Sequence, residues 1–118
     1  MLTLITPGGA STHHMINAEV LTALGPKGYV VNVARGSVVD EAALVHALSN
    51  GVIAGAGLDV FENEPHPLDA LRTLDNVVLT PHIGSATGAT RQAMADLATR
   101  NIERHFAGEA LETPVPEC

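Results

Sequence analysis

Three short runs of this sequence each place a chemically active side chain just after an apolar segment. His82 follows a proline in the run TPHIGSAT at 80–87, Arg35 belongs to NVARG at 32–36, and Glu64 belongs to GLDVFENEP at 57–65. An imidazole exchanges protons at neutral pH, and a guanidinium group can bind a carboxylate through two parallel hydrogen bonds. Together, an arginine, a glutamate and a histidine supply what acid–base chemistry on an anionic carbonyl substrate requires.

The segments around these runs predict strands that alternate with helices. The predicted strands cover residues 2–5, 29–33, 52–58 and 76–79. Asn17 and Asp40 are suited to be helix N-caps, and the spacing of apolar residues predicts a long helix over 87–106. The nearly continuous apolar character of 29–33 suggests burial on both faces. The sequence therefore predicts an α/β fold, a doubly wound parallel sheet with helices on both faces, in which 63–75 is a long irregular connection.

In an open parallel sheet, ligands bind beyond the carboxyl ends of the strands. Thr6, Arg35, Asp59 and His82 each lie at or just past such an end, so we expect them at one edge. Asp59 follows a long apolar run, and its carboxylate therefore needs hydrogen-bond partners or a ligand. A lone histidine is more often structural, and Glu64 alone could be an exposed loop acid. The convergence of several segments is what favours a site.

Composition limits the kinds of partner and the compartment. The 118 residues carry a formal net charge of -7, which argues against nucleic acid or an anionic membrane as the main partner, although ordinary solubility also explains it. No apolar run approaches the roughly 20 residues of a membrane span. The single cysteine, Cys118, excludes an intramolecular disulfide and fits the cytoplasm. The other five histidines lack metal-ligand spacing, so we expect no metal site.

The three motifs, in this order and spacing, resemble those of the D-isomer-specific 2-hydroxyacid dehydrogenases. The matching runs are VARGSVVDE at 33–41, GLDVFENEP at 57–65 and TPHIGS at 80–85. The resemblance spans nearly the whole chain, and the run HIGSAT at 82–87 looks most like the glyoxylate/hydroxypyruvate reductase branch. It implies a Rossmann-type fold and reduction of a small 2-oxo acid to the D-2-hydroxy acid with NAD or NADP. It also implies a homodimer as the usual assembly.

The resemblance also implies a role for individual residues. Arg35 would bind the substrate carboxylate and help to polarise the 2-oxo group. His82 would donate a proton to the carbonyl oxygen as hydride arrives from the nicotinamide, and Glu64 would keep His82 protonated. Asp59 would contact the nicotinamide carboxamide. The cofactor site would be lined by Thr6, Val33, Ala34, Gly84 and Ser85, and would include Arg35 and His82 as well.

The chain departs from the family by its length. It has no Gly-x-Gly-x-x-Gly turn to receive the pyrophosphate at a helix N-terminus, and no acidic residue after such a turn to select NAD over NADP. We therefore expect residues 1–86 to be the C-terminal half of an NAD(P)-binding domain. Residues 87–118 would form a connecting helix and a tail that belong to the substrate domain. A strand predicted at the very first residues, 2–5, also suggests a fragment.

Two non-enzymatic alternatives stay open. The chain could be an inactive remnant or interaction module that pairs through an open sheet edge, or a nucleotide-binding half-domain. The predicted strand at 2–5 would be a bare apolar edge, which favours pairing with another chain. We therefore expect the isolated chain to be marginally stable or to self-associate. A monodisperse monomer with cooperative thermal unfolding, measured by sedimentation and circular dichroism, would contradict this expectation.

Overall fold

The computed structural model describes residues 1–115, and Cys118 lies outside the described residues. The chain divides into two compact units, Met1–Gly84 and Ser85–Cys118. The first unit contains the sheet, and the second contains one long helix. Each unit is described by itself.

The first unit alternates strands and helices, as the sequence predicts. The strands are β1 (Leu2–Leu4), β2 (Tyr29–Asn32), β3 (Gly55–Leu58) and β4 (Val77–Leu79), and the helices are α1 (Ala18–Leu24), α2 (Glu41–Ser49) and α3 (Asp69–Arg72). Short 3₁₀ turns occupy Ala10–Thr12 and Gly36–Val38. All neighbouring strands pair in parallel, in the order β1-β2-β3-β4. The predicted parallel α/β sheet is therefore confirmed.

The helices begin where the sequence predicts, but some strand limits differ. The side chains of Asn17 and Asp40 accept hydrogen bonds from backbone N–H groups in the first turns of α1 and α2. The strand predicted at 52–58 begins only at Gly55, because the N–H groups of Val52 and Ile53 donate to the carbonyl of Ala47 at the end of α2. The connection at 63–75 is not wholly irregular, since it contains α3.

Within Met1–Gly84, helices pack against only one face of the sheet. The core contains alternate strand residues and one face of each helix, including Val30, Leu58, Leu21, Leu44 and Leu71. On the opposite face, Tyr29 is 52% exposed and Val78 is 68% exposed. The predictions of burial on both faces at 29–33 and of helices on both faces are therefore wrong for this unit. Right-handed crossovers that advance in one direction along a sheet leave every connecting helix on the same side.

Gly36 lies where the loops after β2 and β3 touch. A Cβ atom at Gly36 would lie 1.9 Å from the carbonyl carbon and oxygen of Phe61 and 2.3 Å from the nitrogen of Glu62. No side chain fits at such distances from backbone atoms, which cannot move away as a flexible side chain can. The two loops are therefore in direct backbone contact, and glycine at position 36 permits it.

The second unit is built on α4 (Gly88–Ala107), which Thr87 caps by accepting a hydrogen bond from the N–H of Thr90. Gly108 ends the helix in the left-handed conformation, with φ of 73°. The following segment turns back along the helix, where Glu112 pairs with Arg100. Among the described residues, no helix combines the length and the apolar character that crossing a membrane requires.

We expect Gly36→Ala to lower the free energy of unfolding by at least about 1–3 kcal/mol, because its Cβ would force the two loops apart. Chemical denaturation followed by circular dichroism measures this change. Gly57→Ala is the matched control, because a Cβ there would meet Val31 at an ordinary contact distance of 3.9 Å. Equal stability of the two variants would show that the loops do not depend on glycine at position 36.

Candidate active site

Arg35, Glu64 and His82 line one open cleft of about 700 Å³. They come from three separate segments that follow β2, β3 and β4. The remaining lining residues are Pro7, Gly8, Gly36, Ser37, Phe61 and Glu62. The structure thus brings together the three residues that the sequence analysis selects for acid–base chemistry, at the edge where parallel sheets bind ligands.

His82 and Glu64 form a hydrogen-bonded pair. Nδ1 of His82 lies 2.7 Å from Oε2 of Glu64, and Oε1 of Glu64 accepts a hydrogen bond of 3.2 Å from the N–H of Phe61. Both carboxylate oxygens of Glu64 therefore take part in hydrogen bonds. Among the described residues, Nε2 of His82 has no hydrogen-bond partner. The pair thus fixes one ring nitrogen and leaves the other available to a ligand.

The environment of Glu64 favours its charged form. The hydrogen bond with His82 lowers the pKa of Glu64 below its ordinary value. Burial opposes this lowering, whereas the N–H of Phe61 and the positive charges of His82 and Arg35 add to it. Glu64 is therefore a carboxylate at neutral pH, and this is the state that accepts a hydrogen bond from Nδ1–H and stabilises an imidazolium ring.

A buried carboxylate fixes the turn that carries His82. Oδ1 of Asp59 accepts hydrogen bonds from the Thr80 hydroxyl at 2.5 Å and the Ile83 N–H at 2.9 Å, and Oδ2 accepts one from the Gly84 N–H at 2.8 Å. Asp59 is only 7% exposed. Burial opposes its ionisation, but the hydrogen bonds outweigh burial, so the pKa of Asp59 lies below its ordinary value. These bonds hold His82 in a left-handed conformation, with φ of 52°.

Asp59 thus has the hydrogen-bond partners that the sequence analysis requires of it. They are protein groups, and they explain its position at the end of β3 without a ligand. Its contact with a nicotinamide stays a prediction.

The turn that presents Arg35 depends on Asn32, which is 1% exposed. Oδ1 of Asn32 accepts a hydrogen bond from the N–H of Ala34, and Nδ2 donates to the carbonyl of Arg35, both at 3.0 Å. Nη1 of Arg35 donates to the carbonyl of Ala34 at 2.6 Å. Among the described residues, the other guanidinium donors have no hydrogen-bond partner, so they are available to a carboxylate in the cleft.

The residues predicted to line a cofactor differ in their surroundings. The hydroxyl of Thr6 is buried and has no partner among the described residues, which suits a position where a ligand supplies one. Val33 is 49% exposed at the end of β2, whereas Ala34 is 5% exposed. The N–H of Gly84 donates a hydrogen bond to Asp59. Ser85 belongs to the second unit, and its φ is 61°.

Several residues that shape this site could not be identified from the sequence. In the sequence, Asn32 is a single polar residue within an otherwise apolar run. Glu41 is 4% exposed, and its Oε1 accepts a hydrogen bond of 2.8 Å from the N–H of Glu62. Burial raises the pKa of Glu41, and the negative charge of Glu62 raises it further. The hydrogen bond from the Glu62 N–H lowers it. An acid directly after an N-cap looks like an ordinary first-turn residue, so no signal in the sequence identifies this contact.

Comparison with known proteins decides the family. The model of the family described as D-isomer specific 2-hydroxyacid dehydrogenase, NAD binding domain, matches residues 1–84. This chain belongs to that family. The resemblance of the three motifs and the Rossmann-type fold are thereby confirmed.

Curated members of the dehydrogenase family show the same relationship. The chain is 53% identical over 115 residues to a hydroxyphenylpyruvate reductase of Plectranthus scutellarioides, covering 98% of this chain and 37% of that protein. It is 54% identical over 112 residues to a glyoxylate reductase of Pyrococcus furiosus, covering 95% of this chain and 33% of that protein.

A solved structure of a family member is closely similar. It is the NADPH-dependent glyoxylate/hydroxypyruvate reductase of Sinorhizobium meliloti in complex with NADP and malonate, with 58% identity and a TM-score of 0.95. The match covers 97% of this chain and 36% of that one. The chain therefore spans about a third of the length of the dehydrogenases that it matches.

We expect Asp59→Asn to lower the free energy of unfolding at pH 7 by about 1–3 kcal/mol, because the amide NH₂ would face a donor where the carboxylate now accepts. The lowered pKa of Asp59 means that its stabilisation is complete above the ordinary value of 3.8 and is lost as pH falls through the folded-state pKa. The difference between variant and native chain should therefore shrink below that pH. Urea denaturation at several pH values measures it.

The exposed Asp75 offers the matched control, as Asp75→Asn. A variant at Asp59 that is no less stable than this control at pH 7 would show that the carboxylate does not hold the turn.

Proposed function

We propose that this chain is the C-terminal part of an NAD(P)H-dependent reductase that converts a 2-oxo acid, such as glyoxylate or hydroxypyruvate, to the D-2-hydroxy acid. One observation carries the proposal: the hydrogen-bonded pair of His82 and Glu64 shares a cleft with Arg35, in a chain of this family. The names of its relatives support the substrate class, since they include glyoxylate and hydroxypyruvate reductases.

Each of the three side chains has a distinct task in this proposal. Arg35 binds the substrate carboxylate through the guanidinium donors that have no partner in residues 1–115, and it polarises the 2-oxo group. His82, protonated, donates the proton on Nε2 to the carbonyl oxygen, because Nδ1 is engaged with Glu64. Glu64 stabilises the imidazolium before the transfer and orients the ring throughout. In the oxidation direction, the neutral ring takes the proton back.

NAD or NADP, when bound, supplies or accepts the hydride. The residues that would hold it are Thr6, Val33, Ala34, Asp59, Gly84 and Ser85, with Arg35 and His82 beside the reacting carbon. Two observations suit this assignment: the Thr6 hydroxyl is buried without a partner among the described residues, and the apolar Val33 is half exposed at the carboxyl edge. The bound NADP of the Sinorhizobium meliloti reductase supports this cofactor class.

The proposal includes the domain assignment. Residues 1–86 form the C-terminal half of an NAD(P)-binding domain, and residues 87–118 form a connecting helix and tail that belong to the substrate domain. The extent of the family match, residues 1–84, supports the first part. The resemblance to the family supports a small 2-oxo or 2-hydroxy acid as partner and a homodimer as the assembly. The single cysteine fits the cytoplasm as location.

The second candidate is a non-enzymatic half-domain that pairs with another chain. The position of β1 at the end of the strand order favours it, as do the exposed Ile5 after that strand and the exposed Val78 on the open face. Titration of NADH fluorescence with the 118-residue chain tests the remaining alternative, a nucleotide-binding half-domain. We expect no measurable binding, because the chain has no turn for the pyrophosphate.

We expect His82→Ala or Arg35→Ala to remove most reductase activity. For this test, a chimera is made in which the 118-residue chain replaces the matching 36% of the Sinorhizobium meliloti reductase and follows the N-terminal two thirds of that protein. Loss of the general acid should reduce turnover of glyoxylate or hydroxypyruvate by about 10²–10⁴-fold. NADPH oxidation, followed by absorbance, measures the rate, and His66→Ala at an exposed position of the 61–68 loop is the control.

The outcomes separate the function from the residue roles. Near-normal turnover in either variant would refute the role given to that residue. A folded chimera of native sequence that binds NADPH but reduces neither substrate would refute the function and favour the second candidate.

A further inference from the structure

His14 joins the two loops that carry the candidate catalytic residues. It lies between β1 and α1, and its backbone N–H donates to the carbonyl of Ser37 at 2.9 Å, two residues after Arg35. Its ring Nε2 hydrogen-bonds to Oε1 of Glu62, two residues before Glu64. One residue therefore contacts both the arginine loop and the glutamate loop.

The loop at 61–65 is held at several further points around Glu62. The N–H of Glu62 donates to the buried carboxylate of Glu41, and the backbone of the preceding residue, Phe61, lies against Gly36. The N–H of Phe61 in turn donates to Glu64, whose other oxygen meets His82. A continuous series of contacts thus runs from His14 to the candidate acid–base pair.

The surroundings of His14 explain why a histidine suits this place. Two carboxylates lie near its ring: Glu62 hydrogen-bonds to Nε2, and an oxygen of Asp40 lies 4.0 Å from Nδ1. The ring of His13 stacks on His14 with centroids 3.9 Å apart. His14 itself has φ of 48°, a conformation that non-glycine residues keep only where surrounding contacts enforce it.

We propose that His14 is a positioning residue: it holds the 61–65 loop through Glu62, so that Glu64 meets His82 at hydrogen-bond distance beside Arg35. Only the expected effect on turnover rests on the function proposed above. The effect on the geometry of Glu64 does not depend on that function.

Besides holding the loop, the pairing of His14 with Glu62 affects the charge in the cleft. Glu62 lines the same cleft as Arg35, where an anionic substrate would bind. Paired with His14, its carboxylate is held toward the loop between β1 and α1 and is partly neutralised when the imidazole is protonated. Without His14, Glu62 would present an unpaired negative charge in the cleft and would repel the substrate.

The first test is NMR titration of the Glu64 side-chain carboxyl in the 118-residue chain. The bond with His82 keeps the pKa of Glu64 below its ordinary value, so this pKa reports whether the pair is intact. We expect it to rise toward the ordinary glutamate value in His14→Ala and Glu62→Ala. Glu62→Gln retains an acceptor for the His14 ring and should keep the Glu64 pKa near that of the native chain.

The second test uses the chimera described above. We expect His14→Ala to lower kcat by about 10- to 100-fold, as misplacement of an acid–base pair does, and to raise KM for the 2-oxo acid while KM for NADPH is unchanged. Glu62→Gln should largely retain kcat. His46→Ala, at an exposed position of α2, is the matched control and should leave all three values near native.

The outcomes are distinguishable. A Glu64 pKa unchanged in His14→Ala, or a kcat of His14→Ala equal to that of the control His46→Ala, would overturn the proposal. If His14→Ala does not fold, the comparison of Glu62→Ala with Glu62→Gln decides it, and equal Glu64 pKa values in those two variants would overturn it. If the unmutated chimera folds and binds NADPH but is inactive, the proposed function fails, and the NMR titration alone decides the role of His14.

Discussion

The hydrogen bonds that Asp59 accepts are the constraint on which the site depends. A carboxylate that is 7% exposed is costly to bury unless its oxygens are paired, and the turn after β4 supplies a hydroxyl and two backbone N–H groups. The same bonds tie the carboxyl end of β3 to that of β4. They also hold the left-handed backbone of His82, a conformation that non-glycine residues keep only where surrounding contacts enforce it. The requirement of one buried charge therefore determines where the imidazole is placed.

Sheet topology and loop hydrogen bonds determine different parts of this arrangement. Parallel pairing brings the residues that follow β2, β3 and β4 to one edge, but it does not bring their side chains to bonding distance. Local contacts do so: Asn32 closes the turn before Arg35, and Gly36 lets that turn touch the backbone at Phe61. The 61–65 loop then presents Glu64 to His82. Asn32 thus satisfies backbone groups that the strands leave unpaired, whereas Gly36 permits close backbone contact because it has no side chain.

Much of the fold could be predicted from the sequence, because apolar runs and N-caps such as Asn17 and Asp40 are local signals. The convergence of Arg35, Glu64 and His82 also follows, since the edge rule needs only strand order and direction. The contacts of Glu41 and His14 could not be predicted, because their partners are 21 and 48 residues away along the chain. Burial on both faces at 29–33 was a wrong prediction for a related reason: an apolar run indicates what could be buried, and the crossovers determine what is.

The candidate acid–base pair and the predicted cofactor positions differ in how many of their polar groups have a partner among the described residues. Every contact described for orienting His82 comes from Met1–Gly84, namely from Asp59, Glu64 and the backbone of Thr80. The predicted cofactor positions differ, since Thr6 has a buried hydroxyl without a partner among the described residues, and Ser85 belongs to the second unit. The first unit thus organises the acid–base pair by its own hydrogen bonds, whereas a cofactor would supply contacts that this unit does not make.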